Sequence, residues 1–244
     1  MANIRPYCLT IGGFDPSAGA GVLADIKTFE QMKVQGLAVN TANTIQNDVE
    51  FLKVDWLAQR LIHKQLIILN KRFPIEVAKI GLVQSIESLV WIINILKEHN
   101  PSIKIIWDPI LSASAGFQFH TKINEAKIKN ALNNLFLVTP NVPEYEILFS
   151  GNTHQPATYV YLKGGHCDGE VIRDQLLKEN NLLFELHSKR INKTEKHGTG
   201  CILSSAIAAQ LSLGAPLKEA CELARKYVLS VISSNNTKLG YHSK

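Results

Sequence analysis

The sequence predicts an α/β fold on a mostly parallel, doubly wound sheet, and three observations carry that expectation. Short apolar runs alternate with helix-period segments almost from end to end. The runs are apolar at consecutive positions, as strands covered on both faces of a parallel sheet are. Hydrophobic residues make up 45% of the chain and charged residues 19%, which supplies a full core and argues against disorder. At 244 residues the chain suits one domain of this class, spanning 1–244.

Strands are expected at 8–11, 37–42, 77–80, 103–107, 135–138 and 159–162. Helical spacing fills the gaps at 22–32, about 56–69, 86–96, 125–132, 202–211 and 217–232, with a short helix near 144–148. This order predicts helices on both faces and right-handed crossovers. Two stretches break the rhythm. Residues 170–191, with the polar turn 178–181, read as an antiparallel hairpin at one sheet edge. SGNTHQPAT at 150–158 joins two parallel strands and leaves a short crossover, where a dozen residues or more are usual. No repeat or linker is visible.

Composition also excludes function classes. The formal charge of +5 is modest, and no Lys/Arg block carries interleaved aromatics, so nucleic-acid binding has little support. The apolar run 89–96 is too short to span a bilayer, and MANIRPYCLTIGG lacks the marks of a signal peptide. Cys8, Cys167, Cys201 and Cys221 show no CxxC spacing, which argues against zinc and against a disulfide framework. A reducing compartment, the cytoplasm, is the expectation.

Open α/β sheets bind ligands beyond the carboxyl ends of their strands, so ligand-binding residues are expected in the segments that follow strands. KHGTGCILSSAIAAQ, starting at Lys196, brackets a threonine with two glycines just before an apolar helix. Glycine lets successive N–H groups face one point, and the helix start adds unpaired N–H groups, so Gly198, Thr199 and Gly200 can form an anion hole. Cys201 at that helix start is expected to have a lowered thiol pKa. A plain capping loop, with Cys201 as a small core residue, explains the pattern equally well. TIGGFDPSAGAGVLADIK, starting at Thr10, offers Gly12, Gly13, Gly19 and Gly21 for close approach to a ligand, and Asp25 in the first helical turn. There the simpler reading is a glycine-rich turn with Asp25 favouring the helix dipole.

Four more segments fall at strand ends. Asn141 and Glu144, one helical turn apart, can face a hydrated metal ion, although capping by Asn141 accounts for them too. Lys163 can reach a phosphate as a point charge, or be an ordinary exposed lysine. Asp108 ends another strand, and Gln46 could offer a paired donor and acceptor to a heterocycle.

Taken in order, LTIGGFDPSAGAGVLADIKTF, TANTIQND, AKIGL, WDPIL, VTPNVPEYEIL, YLKGGH and HGTGCILSSAIAA resemble hydroxymethylpyrimidine/phosphomethylpyrimidine kinases, members of the ribokinase-like superfamily. The resemblance runs from about Leu9 to Val228. It implies a ribokinase-like three-layer α/β/α sandwich and an ATP- and Mg2+-dependent kinase of thiamine biosynthesis. It places Cys201 beside the accepting hydroxyl, above the Gly198–Gly200 anion hole. It further implies Gly13, Asp25 and Gln46 as pyrimidine contacts, and Leu82 and Ile110 as apolar walls. Asn141 and Glu144 match an NxxE pattern for magnesium and phosphate, and Lys163 and Asp108 match residues near the nucleotide phosphates. The expected partners are a small pyrimidine and ATP, with no nucleic acid or membrane, and the resemblance implies a homodimer.

Three stretches depart from the family pattern. Residues 146–159 look short by about one crossover helix, the tail SSNNTKLGYHSK lacks a glycine-rich ending, and DVEFLK lacks a glycine after the QN pair. A pyridoxine/pyridoxal kinase is the nearest alternative. Some of those enzymes carry a second cysteine in the flap after the DP motif, whereas LSASAGF at 111–117 has none. A non-catalytic ligand-binding relative is a further alternative, with the shortened crossover as its support. A dinucleotide-dependent oxidoreductase would need GxGxxG after the first strand, which is absent.

Overall fold

The computed structural model describes residues 4–111, 125–149, 157–166, 170–191 and 196–243. Cys167, most of the flap after Leu111 and most of 150–158 lie outside the described residues. Along the chain run β1 (Tyr7–Phe14), α1 (Gly21–Gln31), β2 (Gln35–Gln46), β3 (Phe51–Trp56), α2 (Gln59–Arg72), β4 (Val77–Ile80) and α3 (Ile86–His99). They are followed by β5 (Lys104–Trp107), α4 (Glu125–Asn134), β6 (Leu137–Val138), α5 (Val142–Phe149) and β7 (Tyr159–Leu162). The remainder is β8 (Val171–Lys178), β9 (Asn181–Lys189), α6 (Thr199–Ser212) and α7 (Leu217–Ser233).

All nine strands form one sheet, in the order β3-β2-β1-β4-β5-β6-β7-β8-β9. The six from β2 to β7 are parallel to one another. Helices cover both faces. Core residues of α2, α3, α4 and α5, such as Leu66, Ile92 and Leu132, pack in one layer. Those of α1, α6 and α7, such as Phe29, Ile207 and Val228, pack in the other. The expected three-layer sandwich is present. Helix α6 is made of small and apolar residues buried on all sides, as a helix wedged between α1, α7 and the sheet must be.

The expected hairpin at 170–191 is β8–β9, and its two turn residues, Glu179 and Asn180, have φ of 51° and 59°. Two left-handed residues give the twist that joins antiparallel strands directly. Two expectations need correction. The other edge is also antiparallel, because β3 pairs with β2. Strand β3 escaped notice since its side chains are mostly exposed and no apolar run marks it. For the same reason the helix expected from 56 begins at Gln59. The short helix expected near 144–148 is α5, and it is the one helix among the described residues between β6 and β7.

The parallel strands end in a staircase of backbone bonds. Gly81 N donates to Ile11 O at 2.8 Å, Asp108 N to Ile80 O at 2.8 Å, Thr139 N to Trp107 O at 3.0 Å and Lys163 N to Pro140 O at 2.9 Å. Each bond fixes the first residue beyond a strand, so the chemistry-bearing side chains start from a rigid frame. Behind Lys163 sits a buried network. Asp174 of β8 accepts from Gly164 N at 2.8 Å and from the Tyr161 hydroxyl at 2.9 Å, and Arg225 of α7 approaches at 3.2 Å. Removing one partner of a buried ion pair strands the other. Asp174→Ala is therefore expected to lower the unfolding free energy by about 3–5 kcal/mol in urea denaturation. A loss below about 1 kcal/mol, the worth of an ordinary hydrogen bond, would contradict this account of the edge.

Candidate active site

Two glycine segments far apart in sequence close on one another at the carboxyl end of the sheet. Gly198 is the N-cap of α6, with φ of +77°, and no side chain caps the helix. A methyl group on Gly198 would collide with the Gly19 carbonyl oxygen, so only glycine allows this approach. Gly21, with φ of +60°, packs equally closely on the Gly13 carbonyl. The Gly21 amide is close enough to the Cys201 thiol to favour its charged form slightly. His197 and Asp15 complete the junction. His197 Nε2 lies 2.9 Å from Asp15 Oδ2, and Asp15 also accepts from Ser17 N, Ser17 Oγ and Ala20 N at 2.8–2.9 Å. Burial works against the Asp15 charge, but these bonds outweigh it and hold the carboxyl below its usual value.

The tip of α6 thus faces the strand ends, as the sequence reading required. The N–H groups of Thr199, Gly200 and Cys201 belong to the uncapped first turn. A methyl on Gly200 would stand 3.4 Å from Lys163 Nζ and 3.8 Å from Asp108 Oδ2. The start of α6 and the Lys163 ammonium are therefore neighbours.

Lys163 is not a free point charge. Its Nζ bonds Asp108 Oδ1 at 3.0 Å and lies 3.8 Å from Glu144 Oε2. Asp108 also accepts from Thr139 Oγ1 at 3.1 Å and Ser204 Oγ at 3.2 Å. Burial opposes the Asp108 charge, yet Lys163, Lys79 and these donors keep its carboxyl below the ordinary value. Asn141 and Glu144 form a reciprocal cap: Asn141 N donates to Glu144 Oε2 at 2.8 Å and Glu144 N to Asn141 Oδ1 at 2.9 Å. The capping explanation of these residues is present in full, and Asn141 has spent its side-chain oxygen on it. Burial pushes the Glu144 carboxyl up to about 7 against the pull of Lys163.

Beneath Cys201 lies a pair that the sequence did not announce. Lys79, on β4, is 1% exposed and donates to Asp25 Oδ2 at 2.8 Å. Thr10 Oγ1 donates to the same oxygen at 2.5 Å, while Asp25 Oδ1 is buried without a hydrogen-bond partner. Burial raises the Asp25 carboxyl, Lys79 resists that, and the ammonium itself is held charged by Asp25. Asp25 lies beyond the first turn of α1, which holds no acid, so the helix-dipole explanation fails. Cys201 requires a correction of sign. Its thiol is pushed up to about 11 by burial, and the lowering influence of Lys79 is met by Asp108 and Asp25. A helix start lowers a thiol pKa only where water or cations can reach the sulfur.

The expected apolar walls are near this floor. A methyl on Gly13 would touch Leu82 Cδ2 at 3.0 Å, and one on Gly81 would lie 3.7 Å from Ile110 Cδ1 and 3.0 Å from Lys79 Nζ. Gln46 stands apart: it ends β2, three residues beyond Asn43, the last residue of β2 to pair with β1. At the rise of an extended strand that is about 10 Å outward. Sequence reading missed Lys79, Asp15, Thr139 and Ser204. Only Asp15 carried a local signal, an acid inside the glycine segment.

The family model described as phosphomethylpyrimidine kinase matches residues 15–244. The chain belongs to the phosphomethylpyrimidine kinase family. That makes it a phosphotransferase of ribokinase-like fold. The hydroxymethylpyrimidine/phosphomethylpyrimidine kinase of Haemophilus influenzae is 30% identical, over 96% of this chain and 93% of that one. The phosphomethylpyrimidine kinase structure from Clostridium difficile 630 superposes with a TM-score of 0.75 at 32% identity, covering 92% of this chain and 98% of that one. A Staphylococcus aureus pyridoxal kinase in complex with AMP-PCP and pyridoxal gives a TM-score of 0.82 at 26% identity, covering 95% and 89%. No helix among the described residues is long and apolar enough to cross a membrane.

Glu144 makes the family site sensitive to pH. Its folded value of about 7 exceeds the ordinary 4.5, so the native state keeps a proton that the unfolded chain has lost. Its contribution is present below about pH 4.5 and lost as pH rises to about 7. Urea unfolding of the parent is expected to lose on the order of 2–3 kcal/mol across that window, and Glu144→Gln to lose less. Equal losses in parent and variant would show that Glu144 titrates normally.

Proposed function

We propose that the chain is an ATP-dependent kinase that phosphorylates 4-amino-5-hydroxymethyl-2-methylpyrimidine and/or its monophosphate, acting as one domain over 1–244. The observation that carries this reading is the convergence of the uncapped α6 tip, Lys163 and Cys201 on one space walled by Gly13, Leu82 and Ile110. Asp25, whose free oxygen is buried in the floor, and Gln46 at the end of β2 are the pyrimidine contacts in this reading.

The acceptor oxygen attacks the γ-phosphorus of ATP, the bond to the bridging oxygen of the departing ADP breaks, and a hydroxyl acceptor gives its proton to the transferred phosphoryl group or to water. Such transfer is loose, so the protein contributes position and charge rather than covalent chemistry. The amides of Thr199, Gly200 and Cys201 hold the oxygens of the moving group, and Lys163 sets a positive charge beside Gly200. Cys201 is a neutral thiol at physiological pH, since its pKa is near 11. It orients the attacking oxygen without repelling it. This matters most for the second acceptor, a phosphate monoester that is already anionic. A carboxylate in the same place would oppose its approach.

Among the described residues, no three or more His, Cys, Asp or Glu side chains gather to hold a metal. Magnesium nonetheless suits the donor set, because it is commonly held by one or two carboxylates with the remaining places filled by phosphate oxygens and water. Glu144 is the residue that would hold it, its buried carboxyl at about 7 being ready to exchange a proton for a cation. When bound, the ion neutralises charge on the nucleotide phosphates. A cytoplasmic homodimer belongs to the same reading and is supported by the family resemblance.

A vitamin B6 kinase is the second reading, favoured by the backbone agreement with the pyridoxal kinase. Mass spectrometry of products after incubation with ATP, magnesium and either hydroxymethylpyrimidine or pyridoxal separates the two. Pyrimidine mono- or diphosphate is the expected product, and pyridoxal phosphate alone would overturn the proposal. Cys201→Ala should fold normally and lose about tenfold or more in kcat. A wild-type rate in that variant would remove Cys201 from the reaction.

A further inference from the structure

Lys196 is only 8% exposed, which is rare for a lysine, and it immediately precedes the residues that shape the anion hole. Its ammonium donates to Asn235 O and Asn235 Oδ1, both at 2.8 Å, and to Thr237 O. These acceptors stand just past the C-terminus of α7, where the helix dipole favours a cation.

The acceptor ring is itself braced. Asn235 Oδ1 also accepts from Thr237 N and Thr237 Oγ1 at 2.8 Å, and Asn235 Nδ2 donates to Leu239 O at 3.0 Å. Tyr241 N bonds Ser234 Oγ at 2.8 Å, closing the segment on the helix end. The tail then grips the catalytic turn at two further points. His197 N donates to Lys238 O at 2.9 Å. Leu239 packs on Gly19, where a methyl would lie 2.8 Å from its Cδ2 and 2.5 Å from His197 Cδ2. With Asp15 holding the His197 ring from the other side, the two residues before left-handed Gly198 are fixed on both flanks.

We propose that Lys196 and the tail segment 235–239 form a clasp that positions the Gly198–Cys201 turn for phosphoryl transfer. Lys196 is a positioning residue: it touches the tail, and it acts through the backbone that follows it. The inference rests on the anion-hole reading above. Placement errors of an ångström at a reacting centre cost large factors in rate, so a loosened clasp should act on turnover before substrate binding.

The test compares full-length parent, Lys196→Met and Asn235→Ala by steady-state kinetics with ATP and hydroxymethylpyrimidine, and by hydrogen exchange of the peptide covering 197–204. Lys196→Met should lose about tenfold to a hundredfold in kcat, with KM for the pyrimidine within about twofold of the parent. Amides 197–201 should exchange faster, while those of β4 and β5 do not change. Asn235→Ala, a milder change that keeps the backbone acceptors, should shift both readouts in the same direction. It decides the matter if Lys196→Met does not fold. A folded Lys196→Met with parental kcat, or parental exchange at 197–201 in either variant, would overturn the clasp. Exchange is read whether or not the parent turns over the pyrimidine, so failure of the proposed reaction and failure of the clasp are separate results.

Discussion

Gly198 and Gly19 meet backbone to backbone, with no room for a methyl group between them. That contact joins the loop after β1 to the loop before α6, although most of the chain separates them in sequence. It holds the α6 tip beside the strand ends, with Gly200 next to Lys163. The bond between His197 and Asp15 braces the contact. A phosphate-transfer site needs donors fixed before the charge arrives, because reorganising them during the reaction would raise the barrier. Backbone donors held by glycine contacts meet that need without flexible side chains.

The charges around this contact are sorted by burial. Lys79 and Asp25 neutralise each other in the floor, and Lys163 is balanced by Asp108 with Glu144 close by. The thiol between these pairs stays protonated because burial outweighs the nearby ammonium. Such a centre is close to neutral when empty, so an incoming polyphosphate meets fixed dipoles and a tethered cation rather than a loose cluster of lysines.

The central parallel strands were legible in the sequence because each is apolar at consecutive positions, which only two-sided burial requires. Strand β3 was not, since an edge strand facing water carries no such run. The site divides along similar lines. KHGTGC marked Gly198 and Cys201 as candidates, although a plain capping loop explained the same segment equally well. Lys79 had no such mark: in the run VAKI it resembles a surface interruption, and its partner Asp25 lies on another element 54 residues away. Asn141 and Glu144 were read as metal-facing or capping, and the structure shows the cap. The direction of the Cys201 shift failed because position at a helix start is local, whereas burial is a property of the whole fold.

A crystal structure with ADP, magnesium, aluminium fluoride and hydroxymethylpyrimidine would test the central claim most directly. The account predicts the fluoride within hydrogen-bond distance of the amides of Thr199, Gly200 and Cys201, with the hydroxymethyl oxygen beside the Cys201 sulfur. A fluoride held elsewhere, with those three amides facing only water, would contradict it.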